Sequence, residues 1–292
     1  MENQTKPKKG KLYIVSTHIG NKEDVTIRAM EVLKFCDLVI CEELKVGAKI
    51  LKELMINNKL DTMNEQNEDE KIFEFIDLLK NGKKLALISD CGTPVFADPG
   101  LELIRNAIIS EIEVIVVPGA SSLMTAIVRS GMPLDQFLYA GFLSRNSEER
   151  VQQLKELSVE KRTVVLYDTP YRLLPVLEGI CKIMPQRRAY IGMNLTMPFE
   201  THHYGTFQEL YDKFKNERIK AEFVIVFEGI KTNFPQFYYE GDTGRSAESK
   251  RNKKNSFVKK QNFSSNYKRS SGSNSFNRRG DQRNTRSRRD KS

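Results

Sequence analysis

The chain has 292 residues, with 47 Lys and Arg against 38 Asp and Glu, for a formal net charge of +9. The excess is local: residues 244–292 hold 16 basic and three acidic residues, a net +13, which leaves −4 for positions 1–243. The high isoelectric point therefore belongs to the tail. No apolar run is long enough to span a bilayer, and the lysine-rich start has no apolar leader, so a membrane or exported protein is not supported.

Residues 1–10 read as a flexible N-terminus. The run LYIVST at 12–17 predicts a buried strand, and Val25, Ala29, Val32 and Leu33 predict the apolar stripe of a helix. DLVICE at 37–42 predicts a second strand, followed by a helix around 48–55. EKIFEFIDLLK at 70–80 is amphipathic, with Phe73, Ile76 and Leu79 in register. KLALIS at 84–89 predicts a strand, GLELIRNAI a helix, and IEVIVV at 112–117 another strand. Near-continuous apolar strands alternating with helices predict an α/β domain over 11–134, with a parallel sheet covered on both faces.

A second α/β domain is predicted over 135–232. Its elements are FLYAGFL, a helix at 147–157, a strand at 162–168 and a helix near Pro170. Strands at 188–195 and 200–204, a helix at 207–214 and the strand EFVIVFE at 222–228 complete it. Its sheet is expected to be partly antiparallel. Residues 233–292 read as a linker and a disordered basic tail. From 244 onward the only aliphatic residues are Ala247 and Val258, too few to offset the entropy of ordering the segment. Phe257, Phe263, Tyr267 and Phe276 lie among Arg251, Lys253, Lys254, Lys259, Lys260, Lys268, Arg269, Arg278 and Arg279. Cations that neutralise phosphates beside aromatics that stack on unpaired bases predict RNA binding.

Cys36, Cys41, Cys91 and Cys181 form no CxxC, and the only histidines are His18, His202 and His203. No metal site is expected, and scattered free thiols suit a reducing cytoplasm. Three loops leave strands at the carboxyl edge of the first sheet, where open parallel sheets bind ligands. They are STHIGN at 16–21, DCGTPVFADPG at 90–100 and PGASS at 118–122. Glycine lets backbone approach a ligand closely and proline fixes φ, so such loops present rigid arrays of N–H and C=O groups. There is no GxGxxG and no GxxxxGK[ST], so neither a dinucleotide fingerprint nor a P-loop is present. An adenosine-like ligand without a triphosphate suits these loops.

Taken together, LYIVSTHIGN, LISDCGTPVFADPG, VPGASSLMTAI, GMPLDQFLYAGFL, RTVVLYDTPYRLL, FETHHYGTFQEL and KAEFVIVFEG resemble the ribosomal RNA small-subunit methyltransferase I family of the tetrapyrrole-methylase superfamily. The resemblance covers roughly residues 11–231. It implies two α/β domains with S-adenosylmethionine bound in the cleft between them, a homodimer, and 2′-O-methylation of a cytidine ribose in the small-subunit (16S) ribosomal RNA. Carried over by motif, the cofactor-binding residues are Asp90, Gly92, Thr93, Pro94, Val95, Pro118, Gly119, Ser121, Ser122, Tyr167, Ala221, Glu222 and Phe223. Asp98-Pro99-Gly100 is expected to shape the loop and cap the next helix. A base for the ribose hydroxyl is not identified; Glu200 and Asp24 are the candidate carboxylates. His18 stands where the family usually has proline and is expected to be a core or loop histidine. Leu44, Val46, Met193 and Met197 stand where the family usually carries polar or cationic groups. Two alternatives stay open: a small-molecule methylase acting on a tetrapyrrole-like substrate, and an RNA-binding or ribosome-assembly protein with a weakened site.

Overall fold

Five runs in the first half of the chain lie side by side as parallel strands: β1 (Lys11–Val15), β2 (Leu38–Cys41), β3 (Leu60–Thr62), β4 (Lys84–Ile88) and β5 (Glu113–Val117), in the order β3-β2-β4-β1-β5. Lys11 is in register with Lys84 on one side and Glu113 on the other. The computed structural model describes residues 9–96 and 98–230, all within the first of two units, Met1–Pro235 and Gln236–Ser292.

Alternation along β1 shows why both faces are covered. Tyr13 and Val15 pack with Ala29, Val32 and Leu33 of α1 (Ile27–Phe35) and with Ile50 and Leu51 of α2 (Leu44–Glu53). Leu12 and Ile14 pack on the other face with Phe75 and Leu79 of α3 (Glu68–Lys80) and Leu103 of α4 (Leu101–Ile109). Burying each such Leu, Ile or Phe contributes about 1.5–3 kcal/mol.

Three local expectations need correction. Phe73 is 77% exposed; the buried stripe of α3 is Ile72, Phe75, Ile76 and Leu79, and Phe73 lies one residue, about 100° of helix, from Ile72. Val25 is buried but precedes the helix: a 3-10 turn at Lys22–Asp24 comes first, and the Thr26 side chain accepts the Ala29 N–H to start α1. Asp98 does not cap α4. The N-cap is Gly100, at φ 122°, and its N–H donates to Glu68 Oε1 at 3.0 Å.

The second sheet contains β6 (Phe137–Phe142), β7 (Thr163–Asp168), β8 (Arg188–Met193), β9 (Thr201–Thr206) and β10 (Phe223–Phe227), ordered β6-β7-β10-β8-β9. It is mixed: β6 runs parallel to β7, whereas β10 is antiparallel to β7 and β8, and β8 to β9. Helices α6 (Ser147–Ser158), α7 (Leu173–Cys181) and α8 (Phe207–Phe214), counted after α5 (Ser122–Ser130), cover one face through Leu154, Leu177 and Phe207. The other face, with Val165, Tyr190, Val224 and Val226, is covered by Leu123, Ala126 and Ile127 of α5. Helix α5 thus follows the last strand of the first sheet and packs on the second. This brings the carboxyl ends of β1, β4 and β5 against the second sheet.

Candidate functional site

The three predicted loops are sewn into one layer. Thr17 N–H donates to Gly92 C=O at 2.8 Å, and Gly92 N–H donates to His18 C=O at 3.0 Å. Ser16 Oγ and Thr93 Oγ1 are 3.0 Å apart, and Thr93 Oγ1 lies 3.2 Å from the Ala120 carbonyl. Gly92 is at φ 82°, and a Cβ there would meet Ile19 Cγ2 at 2.9 Å. Glycine is required there by both conformation and space. Val95, at φ 74°, holds the left-handed region without that freedom, a strained arrangement of the kind that clusters at ligand sites.

Two adjoining cavities, of 50 and 180 Å³, open between this layer and the second sheet and share Cys91, Asp98, Ser122 and Tyr167. The smaller is lined further by Gly92, Thr93, Phe96 and Ser121. The larger extends along Ile19, Phe142, Asp168, Glu222 and Phe223. Ser122 Oγ and the Tyr167 hydroxyl, 2.7 Å apart, join α5 to β7 across the cavities. Around Tyr167 stand Tyr139 and Phe142, with ring centroids at 5.1 and 6.2 Å, and Phe96 packs on Tyr139 at 5.1 Å.

The electrostatics favour a cation. Burial raises the Glu222 carboxyl above its ordinary value of 4.5. Burial also raises Asp168, although Arg172 Nη1 stands 3.2 Å away and Thr169 N–H donates to its Oδ1 at 2.7 Å. Asp168 Oδ2 is buried without a hydrogen-bond partner. A positively charged ligand in the larger cavity would be stabilised by these carboxylates and would favour their ionised forms.

Of the predicted residues, Gly92, Thr93, Ser121, Ser122, Tyr167, Glu222 and Phe223 line the two cavities. Pro94 and Val95 continue the 90–100 loop, Pro118 and Gly119 follow β5, and Ala221 is buried beside β10. Asp90 lies just beyond β4, where burial raises its carboxyl and a backbone hydrogen bond from Glu43 opposes that; its Oδ1 has no partner. Neither candidate base lines either cavity. Asp24 is exposed on the 3-10 turn. Glu200 accepts the Thr196 N–H and lies 2.8 Å from His202 Nε2. His18 is a largely buried loop residue, with Nε2 3.7 Å from Glu53 Oε2.

Sequence reasoning passed over Ile19, Cys91, Phe96, Asp98, Phe142 and Asp168 as site residues, although each lies in or beside a motif it quoted. Met193 is buried at the end of β8, Val46 is half-buried, and Leu44 is exposed at the start of α2. The RNA-binding expectation at Arg251, Lys253, Lys254, Lys259, Lys260, Lys268, Arg269, Arg278 and Arg279 lies outside the described residues. Among the described residues, no group of three or more His, Cys, Asp or Glu is arranged to hold a metal ion.

Comparison with known proteins gives a consistent result. Residues 11–211 match the family described as tetrapyrrole (corrin/porphyrin) methylases. The chain is 38% identical over 226 residues to the ribosomal RNA small subunit methyltransferase I of Halalkalibacterium halodurans, covering 77% of this chain and 78% of that one. It is also 38% identical over 220 residues to the enzyme of the same name from Thermotoga maritima, covering 75% and 99%. Among solved structures it is similar to the uroporphyrin-III C-methyl transferase of Thermus thermophilus complexed with S-adenyl homocysteine. That match has a TM-score of 0.54 at 17% identity, covering 74% of this chain and 97% of that one.

Proposed function

The chain belongs to the ribosomal RNA small subunit methyltransferase I family of the tetrapyrrole methylases, and from that premise we infer that its two joined cavities serve methyl transfer to the 2′-hydroxyl of one cytidine in small-subunit ribosomal RNA. It is an S-adenosylmethionine-dependent methyltransferase acting on ribosomal RNA. The observation that carries the assignment to these cavities is their lining: a backbone cradle at Gly92, a cluster of aromatic rings around Tyr167, and the carboxylates of Asp168, which is buried, and Glu222. This set suits a ligand with an adenine face and a cationic sulfonium. Gly92, Thr93, Ser121, Ser122 and Tyr167 would hold the nucleoside part, and Asp98, Asp168 and Glu222 would face its positive charge. When bound, that cofactor supplies a methyl group on a good leaving group. The chain's contribution is then positioning and exclusion of water by the aromatic wall. Neither Glu200 nor Asp24 is kept as the base.

Glu222 makes a pH prediction. Its carboxyl titrates above 4.5, and a bound cation favours the ionised form. Cofactor affinity therefore falls as pH drops through this raised value, and protons are released on binding. In calorimetry across pH 5 to 8, Glu222→Gln should flatten this dependence, Asp168 supplying what remains. An unchanged pH profile in the variant would remove Glu222 from the site.

The division into domains at 134/135 is kept as part of this reading, as is a homodimer. Support for the second copy comes from the edge of the first sheet. Among the described residues strand β5 has one neighbour, and Val116, Ile108, Ile109, Met124 and Val128 on it and on α4 and α5 are 50–80% exposed. Covering such apolar area is the usual role of an interface. Among the described residues, no helix is long and apolar enough to cross a membrane. We assign the protein to the cytoplasm with its ribosomal substrate.

The basic tail is assigned to RNA. Deleting residues 244–292 should weaken binding to small subunits and make its salt dependence shallower, with S-adenosylmethionine affinity unchanged. Equal RNA affinity with and without the tail would refute this role. The activity itself is tested by digesting small-subunit RNA from cells with and without the gene to nucleosides. Mass spectrometry should show one 2′-O-methylcytidine per subunit lost with the gene; identical nucleoside profiles would contradict the proposal.

A further inference from the structure

Beside the cleft lies an open groove of 610 Å³ that the methyl-transfer site does not use. One wall is Gly20–Glu23 and the other Thr196–Pro198, with Glu53 between them. The walls meet closely: Asn21 N–H donates to Thr196 Oγ1 at 3.1 Å, and a Cβ on Gly20 would meet Met197 Cγ at 2.6 Å. The residues just before each wall, Ile19 and Leu195, line the 180 Å³ cavity. The groove therefore starts where the cleft ends, and a strand entering the cleft from this side would pass over it.

Its chemistry suits an unpaired nucleotide. Lys22 is exposed and forms no salt bridge among the described residues. Phe199, directly after the Pro198 wall, is 63% exposed. Glu53 carries a carboxylate whose charge is partly offset by Lys49 Nζ at 3.9 Å. The Thr196 wall is braced. Asn194 and Thr196 are held at φ 49° and 66°, and Glu200, the former candidate base, fixes the Thr196 N–H while pairing with His202. An exposed aromatic and an exposed cation are the components of a single-strand platform, and a carboxylate accepts from the exocyclic amine of cytosine.

We propose that this groove binds the nucleotide next to the one being methylated, with its base on Phe199, its phosphate at Lys22 and an exocyclic amine at Glu53. The proposal rests on the RNA-methylating reading above. It is tested with the full-length protein and short unstructured oligomers of cytidine or uridine, by fluorescence anisotropy at fixed salt, alongside methyl-transfer kinetics on small subunits. Phe199→Ala should weaken oligomer binding on the order of tenfold. It should raise KM for the subunit, with kcat and S-adenosylmethionine affinity unchanged. Lys22→Ala should weaken both oligomers alike and reduce the salt slope by about one. Glu53→Gln should narrow the preference for cytidine. Unfolding midpoints confirm that the variants are folded. If all three keep wild-type oligomer affinity and KM while the wild type methylates RNA, the groove has no such role and the proposed function stands. A wild type that neither binds the oligomers nor methylates subunits overturns both.

Discussion

Gly92→Val is expected to abolish measurable S-adenosylmethionine binding and to lower the unfolding midpoint by several degrees. The residue sits at φ 82°, where a β-branched side chain costs about 1–3 kcal/mol in strain. The new side chain would also enter the space of Ile19 Cγ2, 2.9 Å from the position of its Cβ, and overpacking of that kind costs about 1–3 kcal/mol more. Each kilocalorie lost shifts the midpoint by about 2–4 °C in a unit of this size. The functional loss should exceed the stability loss. The N–H and C=O of Gly92 hold the loop to His18 and Thr17, and the residue itself lines the smaller cavity. Gly92→Ala should fall between wild type and valine in both calorimetry and thermal unfolding. Wild-type cofactor affinity in a folded valine variant would show that the cradle is not where the ligand sits.

Asp168→Ala should be strongly destabilising, by about 3–5 kcal/mol, because it leaves a largely buried charge without its partner. The Asp168 side chain is 2% exposed and that of Arg172 19%. Arg172 would keep two carbonyl acceptors, Leu143 and Ser144, each at 3.1 Å from Nη2, but among the described residues no other salt-bridge partner. Asp168→Asn can keep a carbonyl oxygen for the Thr169 N–H and should cost less. Urea unfolding of the two variants separates these terms. A loss below about 1 kcal/mol for the alanine variant would mean that the carbonyls alone satisfy the guanidinium. Since Asp168 also lines the larger cavity, Asp168→Asn should weaken cofactor binding more than its cost in stability explains.

Much of the fold was legible because its strands are short apolar runs and its helices repeat at 3.6 residues. The three-residue β3 was not, since Leu-Asp-Thr at a half-buried edge carries no period to detect. Helix α5 was hidden differently. Its residues sit inside a quoted motif, yet nothing in their order says that Leu123 and Ile127 pack on the second sheet. The site followed the same division. Gly92, Thr93, Ser121, Ser122 and Tyr167 were visible as motif residues. Asp98 was read only as part of the capping stretch Asp98-Pro99-Gly100; Gly100 is the N-cap, and Asp98 lines both cavities. Ile19, Phe142 and Asp168 meet at one cavity from three separate elements, a juxtaposition that depends on α5 carrying the first sheet onto the second and that spacing along the chain does not express.

The most direct test of the account is transfer of a tritiated methyl group from S-adenosylmethionine, by purified full-length protein, to small ribosomal subunits from cells that lack it. Label should enter the RNA, reach about one methyl per subunit and map to the ribose of a single cytidine. No incorporation into these subunits, by protein that binds the cofactor in calorimetry, would contradict the account.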